Sequence, residues 1–182
     1  MATTTQLNKG GIAPALGLSA PTVFHTGNQG PHSTTQGTDT TPVVTEEYVA
    51  EIFVPCNTRS TGFAVLNGSA VAGNMQISLY NSSGVVIATT ASTAVAGIAT
   101  LQSVPWATPV DLRGPGEYYI GVQNNNTSNR LRTHAVGVFG ASKKTGQTYG
   151  TFSGSGSDWK PVLGDKFVGV CRAYKKLACG SR

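Results

Sequence analysis

Histidines, cysteines and carboxylates are the residues through which this chain could do chemistry, and their spacing assembles none of the common catalytic or metal sites. The three histidines are His25, His32 and His134, and no HxH, HExxH or Cys/His cluster joins them. A zinc site needs about four such ligands closing on one point, so the pattern argues against zinc. His134 stands between Thr133 and Ala135 in a strand-like stretch, where a hydrogen-bonded structural histidine is the ordinary explanation. Cys56, Cys171 and Cys179 are odd in number, fit no CxxC pattern, and are expected as reduced thiols. Among the eight acids, Glu46, Glu47, Glu51, Asp111 and Glu117 could converge. No spacing singles out the pair about 5–10 Å apart that glycoside hydrolysis requires. There is no GxSxG elbow and no phosphate-binding glycine loop. No catalytic, cofactor-binding or metal residue is therefore assigned, and the chain reads as a non-enzyme.

Charge points towards binding instead. Residues 1–124 carry three bases against six acids, a net of −3, while residues 125–182 carry ten bases against two acids, a net of +8. Such a basic end can meet phosphate or an acidic protein surface. Lys143, Lys144 and Lys160, interleaved with Tyr149 and Trp159, are the candidates for a basic interface. Nucleic acid is disfavoured because no RNP, KH or zinc-finger signature accompanies them. A glycan could stack on Trp159 or Tyr149. Trp106, directly after Pro105, reads as a core or corner residue. The Asn-rich loops at 67–69, 81–83 and 124–127 offer amide oxygens but almost no carboxylate, a poor set for calcium. Their asparagines read as turn residues.

The elements that would carry these residues are short strands. Apolar alternation or β-branched enrichment marks Tyr48–Val54, Thr61–Leu66, Asn74–Tyr80, Val85–Thr90 and Ile98–Val104. It marks in turn a short Val110–Leu112, then Glu117–Gln123, Arg130–Val138 and Phe167–Tyr174. The pair 74–80 and 85–90, joined by Asn81-Ser-Ser-Gly84, is the clearest hairpin. No amphipathic helix separates the strands. The expected fold is an all-β antiparallel sandwich, jelly-roll-like, of about eight strands, with an immunoglobulin-like sandwich as the alternative topology. Tyr118 and Tyr119 follow a Pro-Gly turn at the start of a strand, so one of them is expected to point inward and hydrogen-bond the backbone upstream.

Two segments lie outside this pattern. Residues 1–41 read as an extended N-terminal arm ahead of a sandwich over 42–182. The arm is rich in Thr, Gly, Gln and Pro, yet it carries Ile12, Leu16, Leu18, Val23 and Phe24. Apolar anchors on a segment without periodicity make sense if they become buried on a partner, or on the chain's own domain. Residues 139–164 read as a long basic loop, too long for a mere connector in a compact domain. Met1 to Asn8 has neither a charged nor an apolar signal-like region, so no secretory signal is expected. No stretch approaches the roughly 20 apolar residues that cross a bilayer, so no membrane contact is expected.

The sequence from Thr38 to Phe152 resembles the decoration (cement) proteins of tailed bacteriophages, a family of small β-sandwich proteins. The resemblance is carried by Tyr48-Val-Ala-Glu-Ile-Phe-Val-Pro55, Val65-Leu-Asn-Gly-Ser-Ala-Val-Ala-Gly-Asn74 and Leu79-Tyr-Asn-Ser-Ser-Gly84. Pro115-Gly-Glu-Tyr-Tyr-Ile-Gly121, Arg132-Thr-His134 and Phe139-Gly-Ala-Ser-Lys-Lys-Thr-Gly146 continue it. The string Asn67–Gly73 is its most specific part, and the basic tail Lys175–Arg182 lies outside it. The resemblance implies a jelly-roll-like homotrimer on the outer surface of an icosahedral head. It implies assembly in the host cytoplasm and the major capsid protein as partner. Ile12, Leu16, Leu18, Val23 and Phe24 would then be the capsid contacts. A fibre or adhesion module that binds host-surface glycans is the alternative.

Overall fold

The computed structural model describes residues 22–25, 37–136, 141–152, 164–167 and 169–175. Among them are thirteen strands and no helix. In chain order the strands are β1 (Thr22–His25), β2 (Thr38–Thr40), β3 (Glu46–Val54), β4 (Thr58–Leu66), β5 (Asn74–Asn81), β6 (Val86–Thr89) and β7 (Thr93–Ala94). The others are β8 (Leu101–Leu112), β9 (Gly116–Asn124), β10 (Leu131–Val136), β11 (Ala141–Thr145), β12 (Gly164–Phe167) and β13 (Gly169–Lys175).

Every strand pairing is antiparallel. One sheet runs in the order β11-β3-β9-β5-β6, with β7 also on β5; a second runs β1-β13-β4-β8; a small third runs β12-β10-β2. The two larger sheets pack face to face as a β-sandwich, as the strand spacing predicts. Period-2 alternation makes the core: Tyr48, Ala50, Ile52 and Val54 of β3, Met75, Ile77 and Leu79 of β5, and Ile120 and Val122 of β9 point one way. They meet Phe63 and Val65 of β4 and Val104, Trp106 and Leu112 of β8, with Leu131 of β10 closing the side. Burying each large apolar side chain contributes about 1.5–3 kcal/mol. Trp106 belongs to this core, and its indole N–H donates to Ser60 Oγ at 2.7 Å.

Local chemistry sets the turns. The Asn81 carboxamide oxygen accepts from the N–H groups of Ser83 (3.0 Å) and Val85 (2.9 Å), and Gly84 takes φ 76° to close the β5–β6 hairpin. At the other sheet corner Tyr118 turns inward. Its hydroxyl donates to the carbonyl of Arg113 and accepts from the N–H of Arg113, both at 2.9 Å. That is the tyrosine tie expected after the Pro-Gly turn, while Tyr119 faces the other way.

Three features differ from the expected elements. Ile98–Val104 and Val110–Leu112 are parts of one strand, β8, which begins only at Leu101 and leaves Ile98 60% exposed. Pro105 and Pro109 are tolerated because β8 ends its sheet and bulges there, residues 106–109 lying opposite Thr61 alone between the pairs Gly62–Pro105 and Ser60–Val110. The stretch read as the loop 139–164 contains β11, an edge strand on β3, and ends at β12. Within residues 1–41, Thr22–His25 pairs with β13 and Thr38–Thr40 pairs with β10.

Candidate interaction face

Directly opposed residues of an antiparallel pair share a face. The register therefore fixes what the larger sheet shows on the side away from the core. Along β3 that face carries Glu47, Val49, Glu51 and Phe53; along β9 it carries Glu117, Tyr119, Gly121 and Gln123. Along β5 it carries Gln76, Ser78 and Tyr80, and Lys144 joins from β11. This face divides into a sealed half and an open half.

The sealed half is a buried polar network. Glu47 is fully buried, and its Oε1 accepts from the Tyr80 hydroxyl at 2.6 Å and from Ser78 Oγ at 2.8 Å. Its Oε2 has no hydrogen-bond partner among the described residues. Burial raises the Glu47 pKa, while hydrogen bonds from Tyr80 and Ser78 and the charge of Lys144 pull it back down. Lys144 is 2% exposed, and its ammonium lies 4.9 Å from the Tyr80 ring centroid. Burial, then the neighbouring Glu47, pushes the Tyr80 hydroxyl well above its ordinary value. Gly121 makes the meeting point: a methyl group there would collide with the Glu47 carboxylate and sit 2.5 Å from Ser78 Oγ.

A strap over residues 146–152 lies across this half. The Gly150 N–H donates to Gln123 Oε1 (2.8 Å), and Gln123 Nε2 donates to the Thr151 carbonyl (2.9 Å). The Gln147 N–H donates to the Thr45 carbonyl at 2.9 Å, and the Tyr149 hydroxyl lies 2.9 Å from Ser92 Oγ. A carboxylate shut in this way has no access for a substrate. Its chemistry is internal: it fixes the positions of Tyr80, Ser78 and Lys144.

The open half is different in kind. Phe53 is 56% exposed, Glu117 opposite it is exposed, and Glu51 and Tyr119, also opposite one another, are half-buried. Three other carboxylates are engaged. Glu46 is 3.7 Å from Lys143, Asp111 is 3.8 Å from Arg59, and Asp39 is 3.3 Å from Arg132. Glu51 and Glu117 have no ion-pair partner among the described residues. Partial burial, then the charges of Glu51 and Glu117, raise the Tyr119 pKa. Glu51 and Glu117 are diagonal neighbours across β3 and β9, roughly 7–8 Å apart by sheet geometry. On an open sheet face beside two aromatic rings, such a pair is suited to receiving a cation with an apolar stem.

The residues singled out in the sequence fall in several places. Ile12, Leu16, Leu18, Trp159 and Lys160 lie outside the described residues. Val23 and Phe24 are in β1, opposite Arg172 and Cys171 of β13. Lys143 stands on the edge strand β11, half-exposed, 3.7 Å from Glu46 and 5.5 Å from the Tyr48 ring centroid. Lys144, expected at a surface interface, is instead drawn inside, because strand alternation turns it away from its neighbour Lys143 and over Tyr80. Tyr149 is half-buried and anchors the strap. Phe53 has no role in the sequence reading beyond its place in the Tyr48–Val54 strand. Its signal was available, since Glu47, Val49, Glu51 and Phe53 alternate with an unbroken apolar set. Cys56 is buried, its sulfur 3.9 Å from Thr58 Oγ1. Among the described residues no three His, Cys, Asp or Glu side chains gather as a metal site. No protein-family model matches the chain, and a search of curated proteins finds no match to it.

Proposed function

We propose that this chain is a structural virion protein that decorates and stabilises the outer surface of an icosahedral phage head. The observation that carries the reading is the open half of the outer face. A more than half-exposed Phe53, next to Tyr119 and two carboxylates without ion-pair partners among the described residues, is the chemistry of a protein-binding surface. The resemblance from Thr38 to Phe152 supplies the partners: other copies of the chain, which the open face would meet, and the shell built from the major capsid protein, which Ile12, Leu16 and Leu18 would grip. A rigid sandwich bridging shell subunits adds binding energy after the shell is complete. Copies related by a threefold axis, as the resemblance implies, would multiply weak contacts through their effective concentration.

The test is co-sedimentation of the purified chain with expanded, undecorated heads. Saturable binding is the expected result, and a chain left in the supernatant at every concentration overturns the reading. The contribution of Ile12, Leu16 and Leu18 is tested by removing residues 1–21, which leaves β1 and β2 in place. Loss of head binding with an unchanged circular dichroism spectrum is expected.

A glycan-binding adhesion module is the second reading. The specific observation favouring it is the same exposed ring, since Phe53 with Glu51 and Glu117 could stack on a sugar and accept from its hydroxyls. Specific glycan-array binding that disappears in Phe53→Ala, with no binding to heads, would move the assignment there.

A further inference from the structure

Residues 1–124 and 125–182 differ in net charge, −3 against +8, and the fold sets the end of β13 near the open half of the outer face. β13 ends at Lys175 opposite Thr58, and Thr58 lies opposite Leu112. At this same end β3 finishes at Val54 opposite Gly116, and the Gly114 N–H donates to Asn57 at 3.1 Å. The chain therefore leaves β13 beside the turns that flank Phe53 and Glu117. Residues 176–182, Lys-Leu-Ala-Cys-Gly-Ser-Arg, carry two cations and one large apolar side chain. The open half of the outer face presents two aromatic rings and two carboxylates that have no ion-pair partner among the described residues.

We propose that Glu51, Phe53, Glu117 and Tyr119 form the seat for residues 176–182 of a second copy of this chain. Lys176 and Arg182 supply the charges that Glu51 and Glu117 lack, and Leu177 supplies apolar surface for Phe53. Seven residues extend to about 25 Å, enough to reach beyond the end of one sandwich onto the next. A contact in which the tail of one copy meets the face of another is heterologous, so it builds a ring where the rotation closes. The contact is between copies of this chain, and it holds whether or not the chain binds a phage shell.

A charge-swap experiment on the full chain tests this. Light scattering gives the mass of the wild type, of the face variant Glu51→Lys/Glu117→Lys, and of the tail variant Lys176→Glu/Arg182→Glu. The wild type is expected to self-associate, with the association constant falling about tenfold or more as salt rises from 0.05 to 0.5 M, since exposed charge pairs are screened. Each variant alone is expected to be monomeric with an unchanged circular dichroism spectrum. An equimolar mixture of the two is expected to associate again, because each reversed partner meets its complement. Should Glu51→Lys unfold the chain, Glu51→Gln/Glu117→Gln serves in its place, and its association should be at least tenfold weaker than that of the wild type. A monomeric wild type at every salt concentration overturns the proposal, including the case where the tail binds its own chain. So does association that neither variant weakens, or a mixture that fails to re-associate.

Discussion

Replacing Lys144 by Met tests whether the sealed half of the outer face is a coupled network or a set of independent contacts. Met keeps most of the apolar stem and removes the charge. The ammonium lies 4.9 Å over the Tyr80 ring in a site 2% exposed, and a desolvated contact of that kind contributes about 2 kcal/mol. The same charge helps to hold the fully buried Glu47 ionised. Removing one member of a buried pair costs about 3–5 kcal/mol at the extreme, offset here because an ammonium no longer has to be desolvated. A net loss of about 3 kcal/mol is expected at neutral pH, read from urea unfolding followed by tryptophan fluorescence. Glu47→Gln keeps an acceptor for Tyr80 and Ser78 but has no charge for Lys144 to meet. In that background the cost of Lys144→Met should shrink by about 1–2 kcal/mol, the coupling typical of residues in one network. Acid should shrink it too. The folded-state pKa of Glu47 is raised by burial, so between the unfolded and folded values its carboxyl keeps a proton that the unfolded chain has released. Its contribution is fully present below the unfolded value and is lost as pH rises through the folded one. Two outcomes would refute the reasoning: costs of the two substitutions that simply add, or a Lys144→Met cost that does not change with pH.

Four further outcomes follow from the same geometry. Gly121→Ala should destabilise the fold by about 2 kcal/mol or more, because the new methyl collides with Glu47 and crowds Ser78; the urea midpoint measures it. Tyr118→Phe should cost about 1–2 kcal/mol by leaving both backbone groups of Arg113 without the hydroxyl, measured by thermal unfolding. Ser60→Ala should cost about 1–3 kcal/mol, since it orphans the buried indole N–H of Trp106, and near-ultraviolet circular dichroism should report the change. Hydrogen bonding to Ser69, helped by Arg132 and Arg130 and opposed by partial burial, holds the Asp39 pKa below its ordinary value. Its contribution is present above the unfolded pKa and fades as pH falls, so Asp39→Asn should flatten the acid side of the stability–pH curve.

The parts of this molecule that a sequence discloses are those where one face is apolar. Met75, Ile77 and Leu79 alternate with polar neighbours, and the hairpin they open was legible down to its Asn81–Gly84 turn. Tyr118 was legible as one of two candidates, since a tyrosine after a Pro-Gly turn has few other uses. The strand β11 was not, because an edge strand reading Ala-Ser-Lys-Lys-Thr has no apolar alternation to show. Its Lys144 is buried by what other strands bring to it. Glu46 and Glu47 looked like one acidic pair, yet the first meets Lys143 at the edge and the second is fully buried. Only the register against Gln123 and Lys144 separates them, and register is a long-range property. Gly121, within an otherwise apolar strand, was the local hint that another group approaches closely.

The pairing of β1 with β13 has a consequence for how the chain is made. Thr22 lies opposite Ala173, some 150 residues later, so the first strand in the order of synthesis waits for the last before it has a neighbour. β4 likewise lacks one of its flanking strands until β13 leaves the ribosome. The β3–β9–β5 sheet, by contrast, has all its central strands once residue 124 has emerged. At translation speeds of about 5–20 residues per second, the edge of β4 that β13 will cover stays unpaired for several seconds. In that interval the nascent chain is open to chaperones, and to pairing with the same strands on a neighbouring ribosome.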